Sequence, residues 1–362
     1  MALAVVRSLN TPRQLRTAQE LEDFEQELVD QYLLASAGAG VSDGTVAGDR
    51  RVIFEFLRYA GIPAWAVGPE DGDRFLTYQR KDCGWAPSTV QGKAWAIASF
   101  YDFLIARYQG DVHALTGHVL AQPIDEFNRP VKANYSATRI PPSDPEVEQL
   151  FSGWRASIPQ ARKYLPAARD YFAASLWRRL GLRISETAKL DIKDWRPDLG
   201  EFGKLHIRFG KGSRGRGPKP RLVPAIDSAD DLMAWWLADV RHQFGDDYLD
   251  PDAPLLPSER HDLYTGRCAR IGTEALRSGF KSAVRLYLPT WEGRLTPHGM
   301  RHFCASSLYL QGMDLKAIQE LLGHEWLSTT TRYIHVHDDH IEHTWAVVNQ
   351  RTSARLDPTR AR

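Results

Sequence analysis

Cysteine is scarce: Cys83, Cys268 and Cys304 are the three in 362 residues, and no pair has C-x-x-C spacing. This argues against a disulfide framework and a cysteine zinc site, and it fits a reducing compartment. Net charge is nearly absent, at +1, so the chain as a whole makes no electrostatic case for nucleic acid. Basic residues matter here only where they cluster. No apolar run approaches the ~18 residues of a membrane span. The apolar patch from Ala2 to Val6 is cut short by Arg7 and Asn10, which does not make a signal peptide. A cytoplasmic protein with no membrane partner is expected. The sequence has no internal repeat and no low-complexity segment.

What is present suffices for two domains. Hydrophobic residues make up 43% of the chain, enough for sizeable cores. The first third reads as helices. Leu21, Phe24, Leu28 and Tyr32 recur at helical spacing within 20–34, and further helices are expected over 44–59, 71–81 and 88–108, with Ser88 as the N-cap of the last. Trp95, Phe100, Tyr101 and Phe103 of that helix are expected in the core, leaving Lys93 and Arg107 to face outward. Pro123, Pro130, Pro141, Pro142 and Pro145 then interrupt any helix, so 121–145 reads as a linker between a domain at 18–120 and one at 146–352.

The second domain is mostly helical. A strand is expected over 204–209 and its return partner over 221–225, joined by a long tip with Lys211, Arg214, Arg216 and Lys219. From Lys204 to Arg221 there are seven Lys or Arg residues and no acid. Helices are expected over 164–180, 230–244, 273–288, 297–311, 315–322 and 329–335, with a last one over about 340–350. The fold class is therefore mainly α with a small β-hairpin or sheet (α+β). Asp246, Asp247, Asp250 and Asp252 read as a solvated acidic loop.

Cutting a phosphodiester with a side-chain oxygen needs a nucleophile, cationic donors for the non-bridging oxygens, and an acid for the leaving oxygen. Arginines can take the place of a metal, because a guanidinium grips phosphate oxygens in bidentate fashion. Arg183 follows an apolar helix, with Glu186 three residues on, where a carboxylate can brace it. Lys211 lies between two glycines at the basic tip. His298 and Arg301 form His-x-x-Arg, so both can face one phosphate from a helix start. His324 sits in Leu-Leu-Gly-His, and Tyr333 follows in Thr-Thr-Thr-Arg-Tyr. Taken singly, each has a plain structural explanation, such as a helix stop at Gly323 or a solvated loop at the tip. Gly210-Lys211-Gly212 does not satisfy the phosphate-loop pattern. His335, His337, His340 and His343 read as a polar tail rather than a metal site.

In this order and spacing the residues resemble the tyrosine recombinases, the phage integrase family. The segment from His298 to Val336 carries the likeness most densely. The resemblance covers the second domain by motif and the first only by type. It implies an N-terminal core-binding bundle that clamps DNA, followed by a tyrosine-recombinase catalytic domain. It also implies that Tyr333 is the nucleophile of a 3′-phosphotyrosine link. Arg183 and Arg301 would hold the phosphate, with His324 assisting. His298 would be the acid/base, Lys211 the acid that protonates the 5′-oxygen, and Glu186 the support of Arg183. Lys93, Arg214, Arg216, Lys219 and Arg221 are expected on DNA. The tip is longer than the family's usual turn, which leaves Lys204 and Lys219 as alternatives to Lys211. No cofactor and no metal are implied. The implied partners are double-stranded DNA recombination sites and three further copies of the chain, in the service of integration, excision or transposition of a mobile element, with resolution of replicon dimers left open as the task. The apolar stripe Ile341, Trp345 and Val348 would dock the last helix on a neighbouring copy. Two rivals share parts of the pattern: a type IB topoisomerase, disfavoured by the phrase around His324, and a DNA-binding regulator without catalysis, disfavoured because every catalytic position is occupied.

Overall fold

The structure, a computed structural model, describes residues 15, 17–130, 140–210, 219–324 and 330. These fall into two compact units, the first ending by residue 130 and the second beginning by residue 140.

Four helices build the first unit: α1 (Ala18–Gly38), α2 (Asp43–Ala60), α3 (Pro69–Lys81) and α4 (Pro87–Thr116). A capping box starts α1. Thr17 Oγ1 accepts from the Glu20 amide, and the Glu20 carboxylate accepts from the Thr17 amide. The start of α4 differs from the expected Ser88 cap: Pro87 is already helical, and Ala86 is the cap without a side-chain bond. Proline fits there because a first-turn amide has no intrahelical acceptor to lose. Phe24, Leu28, Phe56, Phe75, Phe100 and Tyr101 fill the core, and the buried Tyr101 hydroxyl donates to Ala64 O at 2.9 Å. Trp95, expected inside, is 55% exposed, with the Arg129 guanidinium over its ring.

The expected linker is shorter than 121–145. Ile124 is buried in the first core, and Gln122 ties back to Ala98 O and Asp102. Residues 121–130 therefore belong to the first unit. On the other side, α5 (Asp144–Ser157) begins before residue 146, with the Ser143 amide donating to Glu146 at 2.8 Å.

The second unit centres on α6 (Tyr164–Leu180), which packs on α9 (Thr273–Tyr287) and α10 (Pro297–Leu310). Between α6 and α9 run the short α7 (Ile184–Ala188), the strands β1 (Trp195–Arg196), β2 (Lys204–Ile207) and β3 (Arg221–Pro224), α8 (Ala229–Trp235), and the hairpin β4 (Pro257–His261) with β5 (Cys268–Arg270). Strands β1, β2 and β3 form an antiparallel meander in which Ile207 pairs with Arg221 and Lys204 with Pro224. The expected helix over 230–244 is regular only as far as Trp235. It continues as a π turn and a 3-10 turn while Trp236 stacks on Phe172 at 4.7 Å. The acidic loop is not simply solvated: Asp247 accepts from the fully buried Arg241 at 3.0 Å. The unit ends with α11 (Leu315–Leu322), capped by Asp314. Among the described residues, no helix is long and apolar enough to cross a membrane.

Candidate active site

Arg183 reaches its place through a glycine. Gly181 closes α6 in the left-handed region, φ 59°, where an L side chain is strained. A Cβ there would also lie 2.5 Å from Leu322 and 3.2 Å from the Cys304 thiol. The chain therefore turns tightly against α10 and α11, and two residues later Arg183 caps α7. Glu186, in the first turn of α7, accepts from the Arg183 amide at 3.0 Å and from its Nη1 at 2.6 Å. Thr187 accepts from the buried Trp177 indole and donates to Arg183 O, which holds the turn against α6.

Arg301 arrives from the other side. Thr296 caps α10 by accepting from the Gly299 amide at 3.1 Å, and Pro297 occupies the first turn. His298 is exposed on that turn and meets the His302 ring edge-on at 4.9 Å. Arg301 is fully buried. Its Nη1 donates to Gly181 O at 2.5 Å, and its Nη2 to Leu322 O at 2.6 Å and to His324 Nε2 at 2.8 Å. The Gly181 carbonyl thus joins Arg301 to the turn that carries Arg183. An i, i+3 pair was expected to face one way. Here His298 is exposed and Arg301 is buried.

A guanidinium has only donors, so His324 Nε2 must accept from Arg301. The ring proton then sits on Nδ1 and is donated to Thr330 Oγ1 at 3.0 Å. Burial pushes the His324 pKa down, and the charges of Arg301, Arg183 and Arg221 push it the same way, to about 3. The imidazole is therefore neutral and serves as an acceptor that orients Arg301. The Gln319 side chain fixes the segment by donating to His324 O at 3.0 Å. Thr330 is fully buried and lies three residues before Tyr333 in sequence.

Glu186 is shared. Arg221 Nη1 and Nη2 donate to its two oxygens at 2.9 and 2.8 Å. Burial alone would raise the Glu186 pKa, but the Arg221 hydrogen bonds and the charges of Arg221 and Arg183 outweigh it and hold the group at about 2. Among the described residues, three guanidiniums, one carboxylate and a neutral imidazole leave a surplus of two positive charges. That surplus matches the double negative charge of a phosphate under attack.

The structure brings together Arg183, Glu186, Arg301 and His324, four of the expected site residues. Lys211, Arg214, Arg216 and Tyr333 lie outside the described residues, as do the expected helices over 340–350 and, apart from Thr330, 329–335. Of the alternatives to Lys211, Lys204 stands at the end of β2 away from the tip. Lys219 is exposed at the base of the tip, its amide closing on Gly210 O. Two residues expected on DNA are placed otherwise. The Lys93 ammonium is engaged by Glu55 at 2.6 Å and Gln79 at 2.7 Å within the first unit. Arg221 is turned inward onto Glu186. Sequence reasoning missed this second cation on the carboxylate and also the part played by Thr330. A signal for Arg221 was present: it lies two residues from Val223 on a strand, hence on the face that Val223 buries.

The profile of the phage integrase family matches residues 156–340, half of the chain. The tyrosine recombinase XerD of Listeria innocua is 26% identical, over 86% of this chain and 94% of that protein. The tyrosine recombinase XerC of Mycobacterium tuberculosis is 28% identical, over 85% and 92%. Among solved structures, the Tn1549 transposon integrase in complex with transposon right end DNA shares the fold with a TM-score of 0.60 at 17% identity, over 89% and 99% of the two chains. A lambda integrase dimer bound to a core site shares it at 0.61 and 15%, over 86% and 95%. The chain belongs to the phage integrase family and is a tyrosine-type site-specific DNA recombinase.

Proposed function

We propose that the chain breaks and rejoins duplex DNA with Tyr333 as nucleophile. The observation that carries this is the convergence of Arg183 and Arg301 through Gly181, with His324 anchoring Thr330 three residues ahead of Tyr333. Tyr333 Oη attacks phosphorus, and its proton passes to His298. The bond from phosphorus to the 5′-oxygen breaks, Lys211 protonates that oxygen, and a 3′-phosphotyrosine remains. A 5′-hydroxyl from the partner strand then attacks phosphorus and releases Tyr333. Arg183 and Arg301 carry the phosphate charge throughout. His324 keeps the Arg301 fork oriented, and Glu186 keeps Arg183 in place. The phosphotyrosine conserves the bond energy, so rejoining needs no nucleotide.

Arg214, Arg216 and Lys219 are read as phosphate contacts of the hairpin, which position the protein without specifying sequence. Four copies would act on two sites, with the segment 340–350 docking on a neighbour. The task we infer is integration, excision or transposition of a mobile element. Support for DNA as partner comes from the DNA complexes of the transposon and lambda integrases, and the curated relatives carry recombinase names.

The test is trapping on a nicked duplex carrying the site that the full-length protein selects from a random-sequence library. Wild type should become covalently linked to the strand's 3′ end, and Tyr333→Phe should not. A linkage that survives the substitution refutes the nucleophile. Recovery of sites matching the ends of a mobile element would support the inferred task, and sites elsewhere would overturn it.

A further inference from the structure

Strand β3 departs from the usual polarity of a half-buried strand at two adjacent positions, Arg221 and Leu222. Val223 is buried and Leu222 is 47% exposed, so the inward face carries an arginine and the outward face a leucine. The Arg221 side chain is only 11% exposed. A buried guanidinium without acceptors costs several kcal/mol, so such a placement persists only where the surroundings satisfy it. Here they do. Its two terminal nitrogens grip both oxygens of Glu186, and its Nε donates to Leu321 O at 3.1 Å. Leu321 is in the last turn of α11, as is Leu322, whose O accepts from Arg301, and Gly323 and His324 follow directly.

Gly323 completes the seat. It ends α11 in the left-handed region, φ 68°, and a Cβ there would lie 2.8 Å from Arg221 Cδ and 3.0 Å from Nε. The helix end therefore rests directly on the Arg221 side chain. One guanidinium touches the carboxylate that holds Arg183 and the helix end that presents His324.

We propose that Arg221 is a positioning residue for strand cleavage, setting Arg183 through Glu186 and His324 through the end of α11 at a fixed separation. It is not assigned to a DNA phosphate: its fork closes on both oxygens of Glu186 and its Nε on Leu321 O, whereas Arg183 gives Glu186 a single Nη and Arg301 meets neutral acceptors. Lysine would keep the charge but lose the fork, because an ammonium cannot meet two carboxylate oxygens and a carbonyl in one plane. This inference rests on the recombinase reading above.

The experiment compares wild type, Arg221→Lys and Arg221→Ala on the selected nicked duplex, measuring affinity, its salt dependence, and the cleavage rate at saturating protein. Arg221→Lys should bind with unchanged affinity and salt slope and cleave about 10²-fold more slowly, the scale of a misplaced reacting group. The acid limb of its rate–pH profile should move to higher pH, because Glu186 loses its fork. Added guanidinium should speed cleavage by Arg221→Ala and leave wild type unaffected. Cleavage by Arg221→Lys at the wild-type rate overturns the proposal. So does a loss confined to affinity with a salt slope smaller by about one, the mark of a lost phosphate contact. Thermal unfolding of both variants at the assay temperature, without guanidinium rescue, also overturns it and leaves a purely structural role. Failure of wild type itself to link to DNA would instead refute the recombinase reading.

Discussion

The two sides of the candidate site hold their arginines by different physics. On the α10–α11 side, Arg301 is fully buried and, among the described residues, donates to neutral groups: two carbonyls and an imidazole. On the α7–β3 side, Arg183 and Arg221 share one carboxylate. Neutral acceptors satisfy a guanidinium without cancelling its charge, whereas a carboxylate cancels one charge of the pair it braces. Each side thus contributes one net positive charge. Arg301 supplies it from a rigid, desolvated position, while Arg183 is 21% exposed and able to meet a ligand arriving from solvent. Electrostatic catalysis favours this combination, because a charge already oriented costs no reorganisation when the phosphate charge builds.

The largest test removes the neutral-acceptor side. Arg301→Lys should lower the cleavage rate at saturating DNA by about 10²–10³-fold, the range seen when a transition-state donor is lost. Single-turnover trapping measures it, and a loss under tenfold would show that the two sides are not equivalent. Next, Glu186→Gln should break the shared brace and raise the local charge by one. Removing one member of a buried ion pair costs roughly 3–5 kcal/mol, to be read from urea unfolding, and it should slow cleavage as well. An unchanged midpoint would mean that solvent already screens the pair.

Acid should separate the sides. The folded His324 pKa is lowered to about 3 from an ordinary 6.5, so its contribution is complete above pH 6.5 and drains away toward pH 3. Glu186 is lowered to about 2 from 4.5, so its contribution is complete above 4.5 and drains away toward pH 2. Glutamine at 324 can accept from Arg301 and donate to Thr330 without titrating. His324→Gln should therefore flatten the loss between pH 6.5 and 4.5 and leave the lower window, as followed by denaturant melts across pH. The smallest effect is expected for Thr330→Val, which removes the acceptor of the imidazole proton. It should cost about 1 kcal/mol and slow cleavage by less than tenfold, while Thr330→Ser behaves as wild type.

Much of this was legible in the chain. Helical periodicity located most helices of both units, because an amphipathic helix advertises its buried stripe locally. The centre was legible as ordered residue types: an arginine with a carboxylate three residues on, His-x-x-Arg, and a histidine after a helix-stopping glycine. Other features were hidden by local rules that have exceptions. The start of α5 was masked by Pro145, which reads as a breaker yet costs nothing in a first turn. The β4–β5 hairpin was missed because Ser258, Glu259, Arg260 and His261 show no apolar alternation. Residues 121–130 read as linker because their tie to the first core runs through Ile124 and a side-chain bond from Gln122 to the distant Ala98 carbonyl.

The sequence by itself determined the residue types of the site, their order and the family. It also determined the two glycines, at 181 and 323, without which the turns beside the arginines could not close. Tertiary structure alone decided who holds whom. Arg221 and Lys93 read from sequence as surface cations, and both are consumed by carboxylates 35 or more residues away. Ion-pair partners are chosen by which elements pack together, and one-dimensional spacing carries no record of that choice. For the same reason the neutral state of His324 belongs to the fold: it comes from burial beside three arginines that the chain brings in from separate segments.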